Sequence, residues 1–292
     1  MFLSFRPNKG IAVLIMAVTV TVIIICCGIV NPVKATEIHT IQDGVKLPII
    51  MYHSLLKESA RQGDYIISPD IFEKDLKYLE ANGYTTIVMQ DLINYVNKDI
   101  PLPVKPVMLT FDDGYYNNYY YAFPIVKKHR AKIVISPIGY YTDLFTGSDP
   151  NHPNYSYCTW DQINEMKRSG LVEIQNHTYN LHSSSGTRLG AKKLKNESTA
   201  DYVDLLRTDL SKMQQKMKEQ TGYIPTTFVY PFGAVSKDSM PVIKSLGFQA
   251  SLTCRKKINY ITKNPNCLYC LGRFLRPAGS SSKNFFSKID VK

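Results

Sequence analysis

Short apolar runs rich in β-branched residues alternate along this chain with longer segments whose apolar residues recur at helical spacing. The runs cover residues 47–52, 85–89, 106–111, 132–137, 171–175, 226–230, 248–253 and 273–275. Between the first two, Ser68 and Pro69 form a cap and first-turn pair, Phe72, Leu76 and Leu79 share one helical face, and Gly83 stops the helix. Further helices are expected over 91–96, 123–129, 160–168 and 202–220, the last ended by Gly222. Strands alternating with amphipathic helices predict an α/β domain on mainly parallel strands. Seven or eight of them suggest a barrel of the (β/α) kind, whose active groups gather at strand C-terminal ends. Polar stretches over 142–159 and 183–199 predict exposed loops on one rim, and no fixed-period repeat is present.

The N-terminus breaks this pattern. Behind Arg6 and Lys9, residues 11–30 carry no charge, and Val33, Lys34 and Ala35 resemble a cleavage site. About 20 apolar residues can cross a hydrocarbon core as a helix, whereas a signal core is about 7–15 residues long. A cleaved signal and an uncleaved anchor both fit, and the length favours the anchor. With the positive residues ahead of the run, the chain beyond about residue 36 is expected outside the membrane. The expected organisation is a signal or anchor over 1–36, a linker over 37–46 and one domain over 47–292.

A formal charge of +11, from 35 Lys and Arg against 24 Asp and Glu, favours anionic surfaces such as lipid headgroups or acidic wall polymers. Nucleic acid is not an expected partner, because the basic residues are scattered and the chain is exported. Cys26 and Cys27 lie in the apolar run, leaving Cys158, Cys254, Cys267 and Cys270 outside it. Those four read as a disulfide or two, or as buried thiols, since Cys267 and Cys270 lack the second pair of a structural zinc site.

Three clusters sit just beyond apolar strands. Asp112 and Asp113 end the run over 106–111, and adjacent buried carboxylates repel unless a cation or shared proton compensates. Taken singly, one aspartate could simply cap the next helix. His177 and His182 follow the run over 171–175. Two imidazoles with a carboxylate are a common ligand set for a catalytic ion that keeps one position open for water. An offset of five residues does not share a helix face, so these rings must converge from a loop. A lone loop histidine is usually solvated; the joint occurrence with Asp112 and Asp113 is what favours a site. Tyr115-Tyr116 and Tyr119-Tyr120-Tyr121 read as packing, with sugar stacking the alternative.

Thr110-Phe-Asp-Asp-Gly114 and His177-Thr-x-x-x-His182 resemble the first two motifs of the polysaccharide deacetylase family, also called NodB-homology or carbohydrate esterase 4, and Phe228-Val-Tyr-Pro-Phe-Gly233 resembles the third. The likeness spans about residues 47–280. It implies a distorted (β/α) barrel of about seven strands, Asp112 as general base, and Asp113, His177 and His182 as ligands of one divalent ion. Zinc is the foremost choice, with cobalt, nickel or iron accepted by the same ligands. It implies a monomeric hydrolase that removes N-acetyl groups from an extracellular or wall polysaccharide of N-acetylglucosamine type and releases acetate. An esterase acting on O-acetylated xylan-type polymers and a non-catalytic glycan-binding relative are the alternatives.

Two departures stand out. Val229 occupies the place of the third motif's arginine and Phe232 that of its tyrosine, and Arg273, at the end of a later apolar strand, is the candidate to replace the arginine beside the base. No histidine follows His182, so a histidine acid must be His39, His53, His129 or His152. His53, at the tip of the first strand, is the best placed. This opening resembles the subgroup acting on poly-β-1,6-N-acetylglucosamine, in which the acid histidine lies on the N-terminal strand.

Overall fold

Among the described strands the one carrying the paired aspartates, Pro106–Asp113, is the longest, and all eight of its residues are buried. Cover on both faces explains why it reads as an unbroken apolar run. The computed structural model describes residues 44–148, 151–186 and 188–291, which belong to one compact unit, Asp43–Lys292. The apolar run over 11–30, with its reading as anchor or signal, lies outside the described residues. Among the described residues no helix is long and apolar enough to cross a membrane.

In chain order the strands are β1 (Val45–Leu47), β2 (Ile49–Tyr52), β3 (Ser54–Leu55), β4 (Ile66–Ile67), β5 (Thr85–Ile87), β6 (Pro106–Asp113), β7 (Ile133–Pro137), β8 (Val172–Ile174), β9 (Thr227–Val229), β10 (Ala250–Leu252), β11 (Asn259–Ile261) and β12 (Phe274–Leu275). β12, β2, β6, β7 and β8 lie side by side, all parallel, and β5 adds a sixth strand on β6. One edge of β6 takes β2; the other is shared, β5 pairing with residues 106–108 and β7 with residues 110–113. β9 and β10 form a separate parallel pair, tied in by single bridges from Asn176 to Phe228 and from Leu252 to Leu271. The result is an α/β fold with a parallel central sheet, and among the described residues the expected barrel is not closed by continuous ladders. At the seam between β8 and β9 a side chain takes over from the ladder, since the Val229 carbonyl accepts a hydrogen bond from the His177 ring at 2.8 Å.

Helices cover the outer face of the sheet. Ser68 Oγ accepts from the Ile71 amide at 3.1 Å and starts the helix Pro69–Ala81, whose Phe72 meets the rings of Tyr52 and Phe111 at 5.3 and 5.2 Å. Burying one such ring contributes about 1.5–3 kcal/mol. The period of two along β6 sorts its side chains. Val107, Leu109 and Phe111 join the helix-facing core, while Met108 joins an inner core with Ile49, Val134, Val229 and Leu252.

Some segments depart from expectation. Gly139–Thr146 is a helix although an exposed loop is expected from residue 142, because its polar residues serve tertiary contacts. Asp143 accepts from the Trp160 indole at 2.8 Å, and Thr146 Oγ1 accepts from the Trp160 amide at 3.1 Å. The helices Ser239–Ser245 and Ser282–Lys288 were likewise not expected. Cys158, Cys254, Cys267 and Cys270 are all free thiols, with Cys158 buried.

Away from the strand tips, Glu173 in β8 accepts from the Gln90 amide at 2.9 Å and from the Gln175 side chain. Burial raises its pKa to about 7, against the opposing effect of those hydrogen bonds. A carboxyl raised in the folded state favours folding most below its unfolded pKa of about 4.5, and that contribution is lost as pH rises through about 7. Glu173→Gln is therefore expected to gain about 1–3 kcal/mol on the parent between pH 4.5 and pH 8. Denaturant melts at both pH values check this, and a constant difference between the two proteins would contradict it.

Candidate active site

Adjacent residues of a strand point to opposite faces, so Asp112 and Asp113 cannot both face one cleft from regular β structure. The backbone resolves this at Asp113, which takes a left-handed φ of 70°. Gly114 follows with φ 75°, packed so tightly that a Cβ there would lie 2.7 Å from that of Pro137. Thr178 and Phe232 also carry positive φ, at 74° and 57°. A non-glycine residue in this region costs on the order of 1–3 kcal/mol, and such strain tends to gather at functional sites.

Asp112 faces Arg273. The guanidinium makes a two-pronged contact, Nη1 to Oδ1 at 2.6 Å and Nη2 to Oδ2 at 2.7 Å, and neither side chain is exposed by more than 3%. Nε of Arg273 donates to the Thr253 carbonyl at 3.0 Å and Nη1 also to Thr110 Oγ1 at 3.2 Å, which fixes the fork. Burial alone would lift the Asp112 carboxyl. The charge of Arg273, helped by His177 and His53, overrides it and holds Asp112 below the usual carboxylate range.

Asp113 faces the two histidines. His182 Nε2 lies 3.2 Å and His177 Nε2 3.5 Å from Asp113 Oδ1, and one ligand atom from each residue falls within 4.8 Å of the others. Neither approach is a hydrogen bond, and Oδ1 is left buried without a donor. The His177 ring is held from behind, because a carbonyl can only accept. Its Nδ1 must carry the proton donated to Val229 O, leaving the Nε2 lone pair aimed at Asp113. An orphaned carboxylate oxygen and an aimed imidazole lone pair fit a divalent cation. Burial opposes ionisation of Asp113, and the facing imidazoles more than offset it. For His182 burial works towards the neutral ring, but Asp113 raises its pKa above the ordinary value.

The loop bearing the histidines is pinned to the helix Thr199–Thr221, where Asp209 accepts the amides of Tyr179 at 2.8 Å and Asn180 at 2.7 Å. His53 lines the same cleft, with its Nδ1 buried and unpartnered. Burial pushes its pKa down, against the pull of Asp112 and Asp113. Its backbone is fixed by Asn118, which donates to the His53 carbonyl at 2.8 Å, while Asn117 holds Ser54 Oγ at 2.8 Å and the Leu55 amide at 3.0 Å. The other histidine candidates lie elsewhere. His129 contacts Glu73, His152 stacks on Tyr155, and His39 is outside the described residues.

The structure thus brings Asp112, Asp113, His53, His177, His182 and Arg273 into one place. Asn117, Asn118 and Asp209 were not anticipated, and the only signal for the first two was their position just behind the aspartates. The cleft measures about 790 Å³. Two exposed rings flank it: Tyr65, edge-on to His53 at 5.0 Å, and Phe232, 4.6 Å from the His182 ring.

Residues 99–251 match the family model described as polysaccharide deacetylase. The chain is 27% identical over 259 residues to the poly-beta-1,6-N-acetyl-D-glucosamine N-deacetylase of Escherichia coli (strain K12), covering 82% of this chain and 38% of that protein. It is 26% identical over 239 residues to the protein of the same name from Staphylococcus aureus (strain MSSA476), covering 82% and 77%. Among solved structures, IcaB from Ammonifex degensii is similar with a TM-score of 0.68 at 30% identity, over 81% of this chain and 94% of that one. The chain spans well under half the length of the Escherichia coli relative.

Proposed function

The chain belongs to the polysaccharide deacetylase family, and from that premise we propose that it is a metal-dependent hydrolase removing N-acetyl groups from a polysaccharide of N-acetylglucosamine type and releasing acetate. The observation that carries the reading is the convergence of Asp113, His177 and His182 on one point, with the Asp112–Arg273 pair beside it. The names of the similar proteins favour a β-1,6-linked polymer. We place the domain beyond the outer face of the membrane, held by residues 11–30 or released after cleavage, and we read the strand series as a distorted barrel.

A divalent ion held by Asp113, His177 and His182, zinc foremost, would supply Lewis acidity and a water of lowered pKa. Asp112 takes the proton of the attacking water, and Arg273 keeps it ionised and aimed. The carbonyl oxygen, as it gains charge, lies near the backbone N–H of Tyr115, a residue of the cleft wall. His53 gives a proton to the departing nitrogen; a pKa lowered by burial makes its protonated form the stronger acid.

Because Arg273 outweighs burial at Asp112, its removal raises the pKa of the base. Arg273→Gln is expected to lower kcat/KM about 10–100-fold and to move the acidic limb of the pH profile upward. An unchanged acidic limb would remove Arg273 from this role. The function itself is tested by metal analysis of the purified protein together with acetate release from N-acetylglucosamine oligomers and from acetylated xylan. About one ion per chain, with acetate from the amide substrate, is expected. Acetate from xylan alone would replace this reading with an O-acetyl esterase, and acetate from neither would replace it with a glycan-binding protein.

A further inference from the structure

Two cations line the cleft without taking part in the chemistry proposed above, Arg61 and Lys256. They come from different parts of the chain. Arg61 ends the short helical turn Ser59–Arg61 between β3 and β4, and Lys256 follows β10 in the run Arg255-Lys256-Lys257. Both are exposed. Arg61 donates to the Asn154 carbonyl at 3.3 Å, itself a residue of the cleft wall. Among the described residues neither cation forms an ion pair. Glu58 and Asp64, close to Arg61 in sequence, do not line the cleft. The two carboxylates that do are already committed, Asp112 to Arg273 and Asp113 to the histidine cluster.

The proposed reaction turns a neutral acetamide into an amine, which, like an α-amino group with its pKa of about 7–8, is largely protonated below about pH 7. The cleft, at about 790 Å³, has room for more than the reacting sugar. A sugar next to it that has already lost its acetyl group would bring an ammonium between two unpaired cations.

We propose that Arg61 and Lys256 make the cleft sense the acetylation of flanking sugars, accepting a neighbour with its neutral acetamide and repelling one with a free ammonium. The inference rests on the deacetylase reading and deepens it. Each turnover then discourages reaction at the adjacent sugar, and free amines accumulate spaced apart along the polymer. For separations of about 8 Å and a dielectric close to that of water, two such cations disfavour an ammonium about three- to tenfold.

The test uses two N-acetylglucosamine oligomers of equal length, one fully acetylated and one with a free amine beside a single acetylated target. Acetate release and Kd are measured for both with the parent, with Arg61→Gln/Lys256→Gln, and with Lys256→Glu. The parent should favour the fully acetylated oligomer about three- to tenfold at low salt. That ratio should fall towards one at about 0.5 M salt, where the screening length is only a few ångströms, and in the double variant. Charge reversal at Lys256 should lower it as well. A parent ratio near one, or a ratio unmoved by salt and by both variants, would overturn the inference. Absence of acetate from the fully acetylated oligomer would instead overturn the deacetylase reading, and the Kd ratio of the same oligomers would still decide whether the cations discriminate.

Discussion

Asp112→Asn is expected to reduce acetate release by about 10²–10⁴-fold, the usual worth of a positioned general base, without reducing metal content. The separation follows from the geometry. Both oxygens of Asp112 are taken up by Arg273, and the ligand cluster is built from Asp113, His177 and His182 alone. Asparagine keeps the shape of the side chain and cannot accept a proton from water. It also leaves the Arg273 charge buried without its counter-ion, a loss that can reach about 3–5 kcal/mol. Acetate release is therefore read at a temperature where a melting curve shows the variant folded, alongside metal analysis. Simultaneous loss of metal and activity in a folded variant would undo the division of labour between the two aspartates.

The largest stability effect is expected at a second buried pair, away from the cleft. Arg276 binds Asp75 through Nε at 2.8 Å and Nη2 at 3.0 Å, with both side chains fully buried, and the Tyr52 hydroxyl donates to the same carboxylate at 3.1 Å. The pair joins the helix Pro69–Ala81 to β2 and to the segment after β12. Burial raises the pKa of Asp75 despite Arg276, so removing the arginine leaves a carboxylate with little to hold its charge. Arg276→Met is expected to cost about 3–5 kcal/mol, or roughly 6–20 °C in Tm for a domain of this size. Adding Asp75→Asn should recover part of that loss, because removing both charges is far less costly than stranding one. A double variant no more stable than Arg276→Met would show that the effect is packing and not charge.

The elements that the sequence makes legible are those whose signal is local. The run over 106–111 reads as a strand because all its residues are buried, and Ser68-Pro69 marks a helix start because capping depends on the next three residues. The aspartates and histidines can be picked out from spacing and family likeness, although the turn that aims both aspartates inward appears only in the backbone at Asp113. Arg273 lies 161 residues from Asp112, just ahead of β12, and nothing local distinguishes it from an arginine beside any strand; only the motif arginine missing at Val229 points to it. Asn118 and Asp209 are less legible still. Each works by bonding to a backbone group of another segment, and a polar residue so employed looks like any solvated one. The same holds for Thr146 and Asp143, which made a helix resemble a loop. Beyond the bridge from Asn176 to Phe228, the seam at β8 and β9 is continued by the His177 ring on the Val229 carbonyl, a choice no strand pattern encodes.

That carbonyl has one more consequence. The partner that orients His177 is part of the main chain, so no change of side chain at residue 229 deletes it. The nitrogen that His177 would offer to the proposed ion is thus set by the fold. Protein stripped by a chelator should keep its pocket and take up a fresh ion on simple addition, without a cycle of unfolding, so that one preparation could be reconstituted with several different ions in turn.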